Sequence, residues 1–392
     1  MFFNEEITEI QLWLMIASVA LILIALIAVL IRLLPLRKHY RKCLNISLGV
    51  DAVLSPAAVV VFAHDDAESV AEMLPQVLAQ QYAPGFEVIV VNDGESLEVR
   101  HVVESLMQYH RNLYYTVAPD GARNLSRKKL ALTLGVKAAK APVVIHTTSS
   151  ARIPSSLWLE SIMRHFDPEG PVDIVIGYAA APAYDDRALG ARARSFDNSA
   201  DALGWIAPAV AGHPWRGTEF NLAYRRDIFF RNKGFSQHLN LRDGDDDIFI
   251  SEIAQGYNTV VELSDNSVVE VPGDNSPRAL ADRMGRRRFT KRFISSRPRI
   301  IGTLYTVAYF LAPWPLVAVP FVGPVTLTAW LFLAAIVLCW YASGLVWNPA
   351  VAVLRGRRLR FSTPLLAFTR PFRICSRTVN SMLNRGKRYT WE

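Results

Sequence analysis

Cysteine is scarce in this sequence, which has three among 392 residues. Cys43, Cys339 and Cys375 are scattered, and none belongs to a Cys-x-x-Cys pair. This spacing argues against metal binding by cysteine and indicates reduced thiols. The sequence also has no internal repeat and no low-complexity tract, so repeat architectures are not indicated.

Charge is missing from two long stretches, residues 12–31 and 301–354. The first is long enough to cross a bilayer core of ~30 Å at about 1.5 Å per residue. It follows an acidic start and precedes no small-residue cleavage site, so we expect a retained anchor and not a signal peptide. The second stretch is long enough for two spans joined near Gly323, which predicts a transmembrane hairpin.

Basic residues flank all three predicted spans on what would be a single side of the membrane. They are Arg32, Arg37, Lys38, Arg41 and Lys42 after the first span, Lys291, Arg292, Arg297 and Arg299 before the second, and Arg355, Arg357, Arg358 and Arg360 after the third. This pattern places that side in the cytoplasm and the N-terminus outside. Lysine and arginine next to anionic lipid also account for much of the net charge of +8, so no nucleic-acid partner is expected.

The segment between the anchor and the hairpin, residues 56–296, alternates strand-like and helix-like patterns. Short apolar strands are predicted at 57–62, 87–91, 113–117 and 143–146, with a helix over 127–140 before the last of them. Such alternation is typical of an α/β fold with a mainly parallel sheet.

Ligands bind at the carboxyl ends of parallel strands, and acidic residues follow two of the predicted strands. Asp65 comes after the first strand and Asp93 ends the second. Helix capping and a tight turn would also explain these residues. Both explanations hold together if the loops also bind a nucleotide base and ribose.

A basic helix start, Ser126-Arg127-Lys128-Lys129, points to an anion. Cations in a first helical turn oppose the helix dipole, at a cost of about 0.3–1 kcal/mol each. Free N–H groups and lysines together suit a pyrophosphate, with Lys128 and Lys129 as its ligands. The alternative is a solvated helix face.

The most acidic stretch of the chain is Gly244-Asp245-Asp246-Asp247. Adjacent carboxylates repel one another, so folds retain them where solvent, cations or chemistry require them. A solvated turn is the simple explanation, and a catalytic cluster is the functional one.

In their order, these blocks resemble family 2 glycosyltransferases between about residues 56 and 292. Val59–Glu68, Gln80-Gln81-Tyr82, Val88–Gly94 and Ser126–Lys140 are similar to the opening blocks of the family, Gly217–Arg226 to its acceptor-side block, and Gly244–Phe249 to its acidic block. The resemblance implies a GT-A (Rossmann-like) mixed-sheet domain, a nucleotide-sugar donor and inversion at the anomeric carbon.

The resemblance also implies roles for particular residues. Asp245 aligns with the general base, and Asp246 and Asp247 would tune its pKa or hold nearby groups. Arg287 would hold the leaving diphosphate, and Gly217, Asn221, Thr148 and Ser150 would belong to the donor and acceptor loops.

Two departures from the family pattern affect these expectations. Where the family has its metal-binding Asp-x-Asp, this chain has Thr148-Ser149-Ser150. Neutral hydroxyls are poor ligands for a hard cation, which puts the expected Mn²⁺ or Mg²⁺ in doubt. The Gln-x-x-Arg-Trp motif of processive synthases is reduced to Arg287 within Met284–Arg288, so long-chain synthesis is disfavoured.

We therefore expect a bacterial inner-membrane glycosyltransferase that acts on a lipid-linked or cell-surface glycan precursor. A catalytically weak scaffold protein in a glycan-assembly complex is the rival hypothesis. A transporter is not expected, because none of the three spans carries an intramembrane charge. The expected segments are an outside N-terminus (1–10), an anchor (11–34), a basic linker (35–55), a cytoplasmic GT-A domain (56–296), a transmembrane hairpin (297–347) and a basic cytoplasmic or interfacial tail (348–392).

Overall fold

The computed structural model describes residues 7–46, 54–94, 96–118, 125–182, 190–272, 276–295, 297–355 and 359–383. Parts of four expected segments lie outside these residues: 1–6 of the N-terminus, 47–53 of the linker, 95, 119–124, 183–189, 273–275 and 296 of the central domain, and 356–358 and 384–392 of the tail. The predicted flanking residues Arg357 and Arg358 are among them.

A seven-stranded mixed sheet forms the centre of the domain, in the order β3-β2-β1-β4-β7-β5-β8. Strand β7 runs antiparallel to both of its neighbours, and the other pairs are parallel. Strands β6 and β9 form a separate parallel pair. The strands are β1 Ala57–Ala63, β2 Phe86–Asn92, β3 Leu113–Val117, β4 Val143–Thr148, β5 Ile174–Ile176, β6 Ala179–Ala180, β7 Leu222–Arg225, β8 Thr259–Val261 and β9 Val269–Glu270. The predicted α/β class is confirmed.

Helices cover both faces of the sheet because alternate strand residues point to opposite sides. Val59 and Val61 of β1 belong to one apolar cluster with α2, whereas Val60 belongs to another with α4. The helices of the domain are α2 Ala67–Leu78, α3 Leu97–Met107, α4 Arg127–Ala138, α5 Trp158–Met163, α6 Ala191–Val210, α7 Arg226–Arg231, α8 Ile248–Ile253 and α9 Pro277–Thr290.

Three segments are long and apolar enough to cross a membrane, Glu9–Leu44, Ile300–Val322 and Leu327–Val353. The predicted count of one N-terminal and two C-terminal membrane helices is confirmed. The first segment is helix α1. The second comprises α10 Ile300–Leu311 and α11 Trp314–Val322, and the third comprises α12 Leu327–Leu345 and α13 Asn348–Val353; a last helix, α14, spans Thr363–Leu383.

Helix α1 continues beyond the predicted anchor into the segment expected to be a basic linker. Its 36 residues exceed what a bilayer core of ~30 Å requires. The extra turns dock on the α/β domain: His39 Nε2 lies 2.6 Å from the carbonyl oxygen of Val261, and Arg164 donates to the carbonyl of Cys43 at 2.9 Å. The burial of Leu36 and Cys43 in this contact explains why the chain remains helical.

The start of α1 lies beside the turn that joins the other two membrane segments. The side-chain amide of Gln11 donates to the carbonyls of Gly323 and Pro324, both at 3.2 Å. The beginning of the first segment and the hairpin turn are therefore at the same end of the helical bundle.

Helix α14 falls within the segment expected to be a basic tail, and it packs against α6, α9, α10 and α12. An ion cluster on α6 accounts for its position. The carboxylate of Asp197, 1 % exposed, accepts from Arg373 at 2.8 and 3.0 Å and pairs with Arg377 at 2.6 Å. Arg370 contributes a looser contact at 4.0 Å.

Replacing Asp197 by asparagine is expected to detach α14 and to destabilise the protein by about 3–5 kcal/mol, because it leaves three largely buried guanidinium groups without their counter-ion. Thermal unfolding in detergent and protease cleavage within α14 are the measurements. Asp227→Asn is the matched control, since its pair with Arg231 is largely exposed and should matter little. Equal behaviour of the two variants would contradict the proposed role of Asp197.

Candidate active site

A cleft of about 660 Å³ opens at the carboxyl ends of β1, β2 and β4. This is the edge at which α/β sheets bind ligands. Acidic residues from the strand ends face basic residues from α4, α9 and the loop after His238. The lining residues are Phe62, His64, Asp66, Asp93, Ser126, Arg127, Lys128, Thr148, Ser149, Ser150, Glu219, Phe220, Arg242, Asp243 and Arg286.

The two acids predicted at the strand ends lie in different places. Asp93 lines the cleft, and one of its carboxylate oxygens contacts Nδ1 of His64. Asp65 instead joins the ends of two strands: it has a positive φ of 47°, and its carboxylate accepts from the backbone N–H of Ser96 at 2.9 Å. Asp66 caps α2 and lines the cleft. Asp65 therefore positions this edge, while Asp93 and Asp66 face the open space.

The two lysines at the start of α4 also differ. Lys129 is fully buried, and its ammonium donates to the carbonyls of His238 at 2.7 Å, Asp243 at 2.8 Å and Leu241 at 3.0 Å. Burial lowers the pKa of this ammonium to about 8. This placement favours a structural role for Lys129 in place of the phosphate-binding role expected from the sequence.

The start of α4 thereby holds the loop that leads into the acidic cluster. Ser126 caps the helix by accepting from the N–H of Lys129, and its hydroxyl donates to the carbonyl of Arg242 at 2.9 Å. The N–H of Ser126 also donates to the carbonyl of Leu239 at 2.9 Å. These bonds and those of Lys129 fix residues 238–243 against α4.

Lys128 faces the cleft and connects it to the acidic cluster. Its ammonium contacts the carboxylate of Glu219 and lies 2.7 Å from Oδ2 of Asp245. Burial alone would lower the pKa of Lys128, but the charges of Asp245 and Glu219 outweigh burial and raise it above its ordinary value. Lys128 is therefore a fixed cation between the cleft and Asp245.

Gly244 gives the acidic cluster its shape. Its backbone φ is +111°, a value that residues other than glycine rarely adopt. Its added Cβ would also lie 2.6 Å from the side chain of Ile248. The turn directs Asp245 toward Lys128 and Asp247 toward α8. Asp247 caps that helix and accepts a hydrogen bond from the hydroxyl of Thr290.

The three aspartates are thus in different environments. Among the described residues, the basic side chain nearest to Asp246 in an ion pair is Arg216, at 3.9 Å. Burial raises the pKa of Asp246, and the charge of Asp247 adds to that shift. Burial likewise raises the pKa of Asp247. Of the three, Asp245 has the close cationic partner that also reaches the cleft.

Two adjacent arginines of α9 point in different directions. Arg286 lines the cleft and lies 3.5 Å from Glu219 and 3.9 Å from Asp243. Arg287, which the sequence suggested for the leaving diphosphate, lies away from the main cleft and pairs with Asp201 on α6. Burial lowers the pKa of Arg287 to about 9. Of these two arginines, Arg286 is the one that faces the cleft.

The residues after β4 do not fit a divalent metal. The hydroxyls of Thr148 and Ser150 line the cleft and hydrogen-bond to each other at 2.9 Å. Hard cations bind carboxylates and carbonyls more readily than neutral hydroxyls. Within the described ranges, no group of three or more His, Cys, Asp and Glu side chains could hold a metal ion.

The two residues expected from the acceptor-side block lie in the framework of the site. Asn221 is fully buried, donates to the carbonyls of Ser267 at 2.8 Å and Tyr178 at 3.0 Å, and accepts from the indole of Trp158. The N–H of Gly217 donates to the carbonyl of Asp246 at 2.9 Å. Between them lies Glu219, which the sequence reasoning did not select.

Glu219 is the missed residue that organises the basic side of the cleft. It pairs with Lys128 and with Arg286, and these two charges lower its pKa to about 2 although burial opposes the shift. Its position within Gly217-Thr218-Glu219 was the available signal. Its role depends on partners far apart in the sequence, which no local pattern shows.

Comparison with known proteins agrees with this architecture. Residues 58–236 match the family described as glycosyl transferase family 2. A mannosyltransferase, PcManGT from Pyrobaculum calidifontis in complex with GDP-Man and Mn²⁺, has a similar structure, with a TM-score of 0.52 and 19 % sequence identity. The alignment covers 95 % of this chain and 100 % of that one. No curated protein matches the sequence.

Proposed function

We propose that this chain, whose residues 58–236 match the family described as glycosyl transferase family 2, transfers one sugar from a nucleotide donor to an acceptor hydroxyl with inversion. The acceptor is a lipid-linked or cell-surface glycan precursor, and transfer takes place at the cytoplasmic face of a bacterial inner membrane. The observation that carries the proposal is the contact of Lys128 with Asp245, which joins a strand-end cleft to a buried carboxylate.

The donor lies in the cleft with its base and ribose toward Asp93 and Asp66. Its diphosphate lies toward Lys128 and Arg286, the two cations that Glu219 holds in place. A nucleotide sugar suits this distribution, because it has hydrogen-bonding groups at one end and negative charge in the middle. The GDP-Man complex of the structurally similar mannosyltransferase supports this donor class.

Asp245 is the general base. It accepts the proton of the acceptor hydroxyl while that oxygen forms a bond to the anomeric carbon. The bond from the anomeric carbon to the donor phosphate oxygen breaks on the opposite face, and the nucleoside diphosphate leaves with the electron pair. Because the attacking and leaving groups are on opposite faces, the configuration inverts.

Lys128 and Arg286 stabilise the charge that develops on the leaving diphosphate. Fixed cations that need no reorganisation supply the kind of electrostatic stabilisation that dominates many transfer reactions. Lys128 also contacts Asp245, so a bound diphosphate competes for this ammonium. That competition frees the carboxylate of Asp245 to take a proton when the donor is present.

The replacement of the Asp-x-Asp by Thr148-Ser149-Ser150 favours one rival, a scaffold protein that has lost catalysis. A screen of purified protein against GDP- and UDP-sugars distinguishes the two, with hydrolysis and transfer measured with and without Mn²⁺ or Mg²⁺. Turnover of at least one donor is expected. Nucleotide binding without turnover under any donor and metal condition would favour the scaffold function.

The orientation in the membrane is tested by reporter fusions after Lys42, at Gly323 and after Arg360. We expect them to report the cytoplasm, the outside and the cytoplasm, because the basic flanks favour the cytoplasmic side. The contact of Gln11 with Gly323 supports a shared outer end for these two positions. An outside signal from the fusion after Lys42 would overturn this orientation.

A further inference from the structure

A second cavity, which we call the basic cavity, borders the acidic cluster at Asp247, whereas the donor cleft borders the preceding loop at Asp243. The basic cavity measures about 420 Å³ and lies between α6, α9 and α14. Six basic side chains and two acidic ones line it. These residues are Arg216, Arg287, Arg288, Lys291, Arg370, Arg377, Asp201 and Asp247.

The positive charge in the basic cavity is only partly neutralised. Arg216 lines it with a side chain 5 % exposed, yet its acidic neighbours, Asp246 and Asp201, are 3.9 and 4.0 Å away. Its Nε has no hydrogen-bond acceptor within the described residues. Lys291 has no acidic partner among the residues that the structure describes. Burial lowers the pKa of Lys291, and Arg299, Arg370 and other nearby cations add to this shift. A buried, incompletely paired guanidinium is costly unless an anion completes it.

A small cavity of about 30 Å³ around the acidic cluster has wall residues in common with both the basic cavity and the donor cleft. It shares Arg216, Asp247, Arg287 and Thr290 with the basic cavity, and Glu219, Phe220, Asp243 and Arg286 with the cleft. Asp245 lines this small cavity. The candidate base therefore lies between a donor site and a separate cationic site.

The basic cavity also adjoins the membrane part of the protein. Ile294 in its wall comes shortly before the second membrane segment, which begins at Ile300. Helix α14, which forms another part of the wall, packs on α10 and α12. Trp215, Met284, Ile294 and Ile374 add apolar surface beside the cations. A ligand with a negative headgroup and an apolar chain matches both parts of this wall.

We propose that the basic cavity binds the phosphate group of a membrane lipid that carries the acceptor. This inference rests on the proposed transferase function and adds the acceptor class, a lipid with a terminal phosphate or diphosphate. Arg216, Arg370 and Lys291 hold the phosphate, and the acceptor hydroxyl reaches Asp245 in the small cavity at the acidic cluster. The donor occupies the cleft, so the two anions occupy separate cationic sites.

The test is a binding measurement on the full-length protein in detergent, read by native mass spectrometry so that it does not depend on turnover. Three probes separate the source of the anion: dioleoyl phosphatidic acid, dioleoylglycerol, and inorganic phosphate. Lys291→Gln is the test variant, because Lys291 lines the cavity without an ion pair in the described chain. Arg292→Gln is the matched control, since it is adjacent and also a surface residue but does not line the cavity.

Phosphatidic acid is expected to bind about tenfold more weakly to Lys291→Gln than to the unmodified protein, the loss typical of one charge-assisted hydrogen bond. Arg292→Gln should bind within about twofold of the unmodified protein, and dioleoylglycerol should show no dependence on Lys291. Equal losses in both variants, or equal affinity for dioleoylglycerol, would overturn the site. Binding of inorganic phosphate as tight as that of phosphatidic acid would overturn the lipid as the source.

GDP and UDP binding, measured on the same samples, separates this inference from the proposed function. Nucleotide binding that persists while phosphatidic acid binding is independent of Lys291 would leave the transferase function standing and overturn the cavity assignment. Phosphatidic acid binding that depends on Lys291, in a protein that binds and turns over no nucleotide sugar, would support the cavity assignment and contradict the proposed function.

Discussion

Replacing Asp245 by asparagine is expected to lower the rate of sugar transfer about 10²–10⁴-fold, the usual contribution of a positioned general base. The amide keeps the shape of the side chain but cannot accept the acceptor proton. Glu219 remains as a counter-ion for Lys128, so the cleft should keep its form. The measurements are kcat for transfer with a saturating donor and the Kd for the nucleoside diphosphate, which should change little.

The neighbouring aspartates provide the controls. Asp246→Asn should cost less, because its carboxylate has only a distant cationic neighbour and its pKa is raised by burial. Asp247→Asn should mainly affect stability, because Asp247 caps α8 and binds Thr290. Wild-type turnover in Asp245→Asn would show the assignment to be wrong and make Asp247 the next candidate.

The sheet could be predicted from the sequence largely because its strands are short, apolar and separated by helical patterns. The prediction at 113–117 coincides with β3, and the one at 57–62 differs from β1 by one residue. The antiparallel strand β7 was not predicted. Its direction depends on pairing with β4 and β5, and tertiary pairing of this kind leaves no signal in four residues.

Side-chain direction limited the prediction of the site. Lys128 and Lys129 are adjacent, and a step of one residue rotates about 100° around a helix. One lysine therefore faces the cleft, while the other holds the loop at 238–243. Arg286 and Arg287 are separated in the same way. Composition showed that cations gather here, but only the packing of α4 and α9 decides which of them a ligand meets.

Helix α14 illustrates a different limit. Its dispersed basic residues suit an interfacial tail, and nothing nearby in the sequence indicates that three of them surround Asp197. That contact joins residues more than 170 positions apart. Helix α14 also forms one wall of the basic cavity. The function inferred for this helix therefore depends on an interaction that only the folded chain reveals.

The other large effect is expected from Arg286→Ala, which should lower kcat about 10²–10³-fold, as does the loss of one preorganised group that stabilises developing charge. Arg286 faces the cleft, and no cluster of metal ligands occurs within the described ranges. We expect Lys128 and Arg286, which Glu219 holds in place, to neutralise the leaving diphosphate. Arg287→Ala is the adjacent control: it leaves Asp201 without its closest partner and should reduce thermal stability more than kcat.

If Lys128 and Arg286 neutralise the diphosphate in place of a metal ion, we expect transfer to persist when divalent ions are removed. Activity should fall little as chelator concentration rises, and added Mn²⁺ should not rescue Arg286→Ala, because the missing charge belongs to the protein. Complete loss of activity in EDTA that Mn²⁺ restores would reject this substitution. A metal would then have to bind through carboxylates such as Asp93 and Asp243, which line the same cleft. Equal losses of kcat in Arg286→Ala and Arg287→Ala would instead show that α9 acts through its packing rather than through the charge of Arg286.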